Sequence, residues 1–186
     1  MPQHLTREEF RHWAQSRKRR YERIGGEPVA MSPERAQHVR VKSRVWAALD
    51  RAIRAQGLPC EALADGMTVE IDEDTDYEPD AVVDCGPPVA NDAFAAPNPV
   101  IVVEVISPVA GSIDLADKLA DYFRVPSIEH YLIFRARRRE VIHHRRHGAE
   151  IVTRVINLGT VALHAPGITI DLAEIYPGWR GPPSSP

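Results

Sequence analysis

The chain has 186 residues, 44% hydrophobic and 26% charged, with 26 acidic against 23 basic side chains and a formal net charge of −3. That composition suits a folded globular protein and excludes an intrinsically disordered one, and no apolar run reaches the ~18 residues of a membrane span. The acidic balance excludes bulk affinity for nucleic acid but not a local basic groove, and a start without an apolar core predicts a cytoplasmic protein.

Thr6-Arg7-Glu8-Glu9 has the spacing of a capping box and predicts a helix to about Arg17, with Phe10 and Trp13 on one face. The basic clusters at 17–20 and 135–139 read as a solvated helix end and turn, and are weak evidence for DNA. Residues 21–24 and 27–31 predict a hairpin around Gly25-Gly26, with Pro28 placing its strand at an edge. Ser32 as N-cap and Pro33 at the first helical position start the longest helix. Val39, Trp46, Leu49 and Ile53 form its apolar stripe, and Gly57 ends it.

Strands are predicted at 67–71, 81–83 and 100–106, with a loop at 86–99 that is rich in proline and alanine. A turn at Ser107-Pro108 leads to a helix at 114–124 with Leu115, Leu119 and Phe123 on its core face. A hairpin of 129–134 and 140–144, a strand at 151–156 and a segment at 168–175 close the domain. The order predicts an α+β (mixed α/β) fold with a mixed sheet, as one domain over 1–177 with a disordered tail at 178–186. Cys60 and Cys85 lack partners at metal-ligand spacing, so reduced core thiols are expected rather than a zinc ribbon.

One carboxylate stands in the wrong place. Glu104 interrupts Val100-Ile101-Val102-Val103, a run that reads as a strand buried on both faces, where an ionised acid costs several kcal/mol unless a cation compensates it. Asp80 has a similar setting in Pro79-Asp80-Ala81-Val82-Val83, sharing a strand face with Asp84, and Asp114 and Lys118 stand four apart on the next helix. Two acids on neighbouring strands with a lysine nearby are the parts of a divalent-metal hydrolytic site. Magnesium suits carboxylates, water and one backbone carbonyl, that of Val105. Such a pair also predicts a raised pKa for at least one of the two acids without metal. Two structural alternatives stand beside this reading: a Glu104–Lys118 core salt bridge, and an exposed Asp114–Lys118 helix pair.

Other residues carry less. His143, His144 and His147 could bind a transition metal, but adjacent histidines on a strand face opposite ways. Trp13, Trp46 and Trp179 could stack on bases, although Trp46 sits on the apolar stripe.

The ordered set of motifs resembles the Uma-two (Uma2) family of restriction-endonuclease-like proteins, in the PD-(D/E)XK nuclease superfamily. It begins with Thr6-Arg7-Glu8-Glu9-Phe10, Tyr21-Glu22-Arg23-Ile24, Met31-Ser32-Pro33 and His38. Its specific part is Pro79-Asp80, Val102-Val103-Glu104-Val105-Ile106-Ser107-Pro108, then Asp114, Lys118 and Tyr122. It closes with Glu129-His130-Tyr131-Leu132-Ile133 and Pro166-Gly167-Ile168. The resemblance implies a restriction-endonuclease-like core, a mixed central sheet flanked by helices, with an N-terminal helix and hairpin. It implies that Asp80 and Glu104 are the motif acids. Because Ile106 occupies the superfamily's lysine position, it implies that Lys118 replaces that lysine. Glu22 and His38 match polar positions near the family's site. The stretch at 109–113 departs from the family pattern, as does Val125-Pro126-Ser127.

The leading expectation is therefore a Mg2+-dependent (Mn2+ also suits) endonuclease acting on phosphodiester bonds of DNA. Double-strand cuts would call for a homodimer, but no interface is legible. The alternatives are a catalytically inactive module that keeps the fold for binding or assembly, and a metal hydrolase acting on another phosphoester.

Overall fold

The computed structural model describes residues 4–106 and 112–179. The turn expected at Ser107-Pro108, the departure at 109–111 and residues 180–186 of the expected tail lie outside the described residues. The N-terminal part comprises α1 (Arg7–Gln15), the hairpin β1 (Tyr21–Ile24) and β2 (Glu27–Ala30), and α2 (Ala36–Gln56). Then come β3 (Cys60–Ala64), β4 (Val69–Glu70), β5 (Asp76–Tyr77), β6 (Ala81–Cys85), β7 (Pro99–Ile106) and α3 (Ser112–Tyr122). The C-terminal part holds β8 (His130–Arg135), β9 (Val141–His147), β10 (Glu150–Ile156), β11 (Thr160–Leu163), β12 (Ile168–Asp171) and α4 (Leu172–Ile175).

The central sheet is six-stranded, in the order β10-β9-β8-β7-β6-β3. Only β7 and β8 run parallel, so the helix α3 that joins them crosses over the sheet while the other pairs are antiparallel. Alternation along β7 sends Ile101, Val103 and Val105 to one face, where they pack with Val45, Leu49 and Ile53 of α2. Val102 and Ile106 point to the other face, where Tyr122 and Phe123 cover them. Each fully buried Val or Leu in these two layers contributes about 1.5–3 kcal/mol. Glu104 shares the α3-side face, the one polar residue in an otherwise apolar strand.

A second sheet, β2-β1-β5-β4, carries the N-terminal hairpin, and Pro28 lies on its edge strand as expected from its missing N–H. Arg23 of β1 has 0% exposure. Its guanidinium reaches Asp76 at 2.7 Å and the carbonyls of Leu5 and Glu73, and Arg7 of α1 binds the other oxygen of Asp76 at 2.8 Å. This clamp fastens α1 to the hairpin. α1 itself starts with the expected capping box, Thr6 with Glu9.

Several expectations need correction. α2 begins at Ala36, behind Arg35, which makes no side-chain cap. Ser32 and Pro33 lie outside any helix or strand, and the Met31 N–H just before them bonds the Arg20 carbonyl and prolongs the hairpin beyond β2. Val39 is 43% exposed, and the buried stripe of α2 is Val41, Lys42, Val45, Ala48, Leu49 and Ile53. Gly57 does end the helix, in the left-handed conformation at φ 59°. On α3 the deepest residues are Tyr122 and Lys118, whereas Leu115 and Leu119 are half-buried.

The cysteines also differ from expectation: Cys60 and Cys85 form a disulfide. They are 25 residues apart in sequence but directly opposite in the β3–β6 ladder. β3 contains no β-branched residue, so nothing in its sequence announces the strand that brings the sulfurs together. Among the described residues no helix is long and apolar enough to cross a membrane.

Candidate active site

Asp80 precedes β6 and is held at the sheet end by its own N–H bonding the Val103 carbonyl at 2.9 Å. Its carboxylate therefore overhangs the last pair of the β6–β7 ladder and accepts the Val105 N–H at 2.6 Å. From α2, Lys42 reaches the other carboxylate oxygen, Oδ1, at 2.9 Å, and His38 Nε2 lies 3.3 Å from Oδ2 without hydrogen-bond alignment. Burial disfavours the Asp80 anion, but His38, Lys42 and the Val105 N–H outweigh it and hold the acid below its ordinary pKa. Asp84 plays a different part. A register shift after Val83 separates it from Asp80, and it accepts the Asn98 N–H at 2.6 Å.

Glu104 meets the opposite helix. Its Oε1 accepts Lys118 Nζ and the Tyr122 hydroxyl, both at 2.9 Å. The same ammonium binds Glu22 Oε1 of β1 at 2.8 Å and sits 4.8 Å from the centre of the Tyr77 ring. Glu22 is fixed in turn by the Glu78 N–H at 3.0 Å. Burial pushes the Glu104 carboxyl up to about 7, with Asp80 and Glu22 adding to the rise and Lys118 opposing it. Burial lowers the pKa of Lys118, but Glu104 and Glu22 prevail and raise it, so it stays an ammonium.

The residues singled out from sequence thus occupy two linked groups. Glu22, Glu104 and Lys118 are in direct contact on the α3 side, and Asp80 and His38 lie on the α2 side. The Val105 backbone joins them: its N–H binds Asp80 and its neighbour is Glu104. In an extended strand the N–H and C=O of one residue lie on the same edge, so the Val105 carbonyl faces the side of Asp80. Ile106, at the superfamily's usual lysine position, is buried against α3. Lys118 supplies the cation beside Glu104 from that helix.

Carboxylates and a carbonyl oxygen are the donor set of a hard divalent cation, and such a cation would favour the Glu104 anion that burial, with Asp80 and Glu22 adding, now disfavours. A second donor group lies alongside. Glu34, His38 and Asp80 offer ligand atoms within 4.8 Å of one another.

Residues 7–180 match the Uma2 family, described as "Putative restriction endonuclease". The chain belongs to the Uma2 family. A solved structure described as a "putative nuclease belonging to DUF820", from Anabaena variabilis ATCC 29413, superimposes with a TM-score of 0.73 at 13% identity. The match spans 92% of this chain and 97% of that one, and at such identity the likeness is one of fold. No curated protein matches the sequence. Family and fold together are those of nucleases.

Two participants in this Uma2 chain escape the sequence reading, Lys42 and Glu34. Lys42 binds Glu34, Asp80 and, at 3.2 Å, Asp65. Its signal is present in the sequence, since it stands four residues after His38 on the buried stripe of α2. His143 and His144 face opposite ways, as the strand geometry predicts, and form no common group. His143 meets His130 at 2.9 Å and His144 meets Thr153 at 2.8 Å. Trp46 is packed, its Nε1 bonding the Ala62 carbonyl.

Proposed function

We propose that this chain is a metal-dependent endonuclease that hydrolyses phosphodiester bonds of DNA, with Mg2+ or Mn2+ held by Asp80, Glu104 and the Val105 carbonyl. One observation carries the reading. Glu22, Glu34, Asp65, Asp80 and Glu104 bring five carboxylates to a place where Lys42 and Lys118 bring two ammonium groups. Carboxylates that outnumber the ammonium groups in this way form a donor set suited to a divalent ion.

Bound there, the ion would polarise the scissile phosphate and lower the pKa of a water. The protein's own groups do the rest. Lys118, oriented by Glu22 and Glu104, stabilises the charge that develops on phosphorus as water attacks. His38 and Lys42 keep Asp80 ionised and aimed. Glu22 is a positioning residue, since it acts through Lys118. A homodimer is the arrangement that double-strand cutting would use.

One observation favours a second reading, a non-catalytic module. Both Asp80 oxygens are already engaged by protein groups. Plasmid nicking with Mg2+ or Mn2+, together with thermal scans, separates the two. The nuclease nicks and gains melting temperature with millimolar Mg2+ by mass action, and Asp80→Ala loses both effects. A parent chain that neither nicks nor shifts refutes the nuclease reading.

A further inference from the structure

Two clefts lead away from the candidate site. The larger, about 660 Å3, opens between α1, β1 and the 63–68 segment, with Arg11, Arg17, Arg19 and Phe94 on its walls. The second, about 340 Å3, shares Arg19, Arg20 and Asp65 with the first and adds Lys18 and Glu34. Glu34 belongs to the group gathered at Asp80. The two clefts thus adjoin, and together they run from Phe94 to Glu34, one residue of that group.

The charges along that path are not equivalent. Arg20 is committed to Asp65 and Glu78 and acts as structure. Arg17, Lys18 and Arg19 are exposed and form no ion pair among the described residues. The Arg17 guanidinium stands over the Trp13 ring at 4.6 Å, which fixes its direction, and Arg11 stands over Phe94 at 5.1 Å. Phe94 is 54% exposed on a fixed backbone: its carbonyl accepts the Thr68 N–H, and the Thr68 carbonyl accepts the Ala96 N–H. Arg11 is itself paired with Glu70 at 2.7 Å, but the exposed cations Arg17, Lys18 and Arg19 and the half-exposed Phe94 ring are the kinds of group that bind backbone phosphates and stack unpaired bases.

We propose that this path binds single-stranded nucleic acid, with phosphates on Arg17, Lys18 and Arg19 and a base stacked on Phe94, and leads it to Asp80. This rests on the nuclease reading and adds the strandedness of the substrate. A duplex keeps its base faces stacked on one another, so Phe94 would gain nothing from it. The −3 net charge of the chain makes the local row the source of attraction.

The test is fluorescence anisotropy of the full chain in EDTA, so that nothing is cut, with a short labelled oligodeoxynucleotide as single strand and as duplex over a salt series. The single strand should bind more tightly than the duplex. Arg17→Ala with Arg19→Ala should reduce the slope of log affinity against log salt by about 1.4, from about 0.7 per phosphate contact. Phe94→Ala should weaken single-strand binding about five-fold or more at unchanged slope. All three side chains are exposed, so their loss leaves the core intact. Equal binding of duplex and single strand, or variants that bind like the parent, overturns the path. If the parent still nicks plasmid with Mg2+ in that case, only the path falls. A parent that neither binds nor nicks removes the nuclease reading as well.

Discussion

Replacing Lys118 with Met keeps the aliphatic stem and deletes the ammonium that Glu22 and Glu104 share and that lies over the Tyr77 ring. The lost contacts are 2.8 and 2.9 Å long, between side chains that are only 8%, 9% and 12% exposed. Two carboxylates then face each other without a cation, and breaking a buried pair in this way costs about 3–5 kcal/mol. Protonation offers a partial escape. The Glu104 carboxyl already stands at about 7, raised first by burial, and losing Lys118 removes the main influence that lowers it. A carboxyl whose folded pKa exceeds its unfolded value stabilises the fold in acid, and that stability declines as pH rises through the folded pKa.

In the parent the decline from Glu104 runs from 4.5 to about 7, and in the variant it extends higher. Urea denaturation should therefore show Lys118→Met losing about 3 kcal/mol near pH 8 and clearly less near pH 5.5. Nicking should be lost at every pH where the variant is folded. Adding Glu22→Gln should return part of the stability and none of the nicking. A loss below about 1 kcal/mol that does not change with pH would refute the sharing of Lys118 by two ionised acids.

Asp80→Asn removes an acid held below its ordinary 3.8, so the stability it supplies is present above that value and lost as pH falls below it. The variant should be less stable than the parent at neutral pH, with the gap closing in acid, as read by urea midpoints. Cys60→Ser with Cys85→Ser opens a covalent link spanning 25 residues and should cost about 3 kcal/mol, with the parent in reductant losing the same amount. Asp76→Ala strands the buried Arg23 guanidinium and should cost about 3–5 kcal/mol, with faster hydrogen exchange in α1 than in β7.

Legibility in the sequence followed the strength of the local signal. The β7 run and the end of α2 at Gly57 are written in β-branched residues and a left-handed glycine, and both stand where the sequence puts them. The strands β3 and β5 are short and poor in β-branched residues, and only tertiary pairing reveals them. Apolar periodicity ranked Leu115 and Leu119 above Lys118 on α3, because hydropathy cannot know that two acids wait below the helix. The same blind spot hid Lys42. The exposed Asp114–Lys118 pair is excluded, since Lys118 is buried. The acid inside an apolar strand was legible, and so was Lys118 as its cation; Lys42, which answers Asp80, was not.

The site draws Glu22, Lys42, Asp80, Glu104 and Lys118 from segments as far as 96 residues apart in sequence. No local stretch of chain contains even half of it, and closing such long loops comes late in folding. On a ribosome, Glu22 of β1 emerges 96 residues before the lysine of α3, and Glu104 of β7 emerges 14 residues before it. A chain interrupted before residue 118 carries acids without their second ammonium and has no finished centre. Assembly from distant segments thus means that the centre exists only once the tertiary structure is complete.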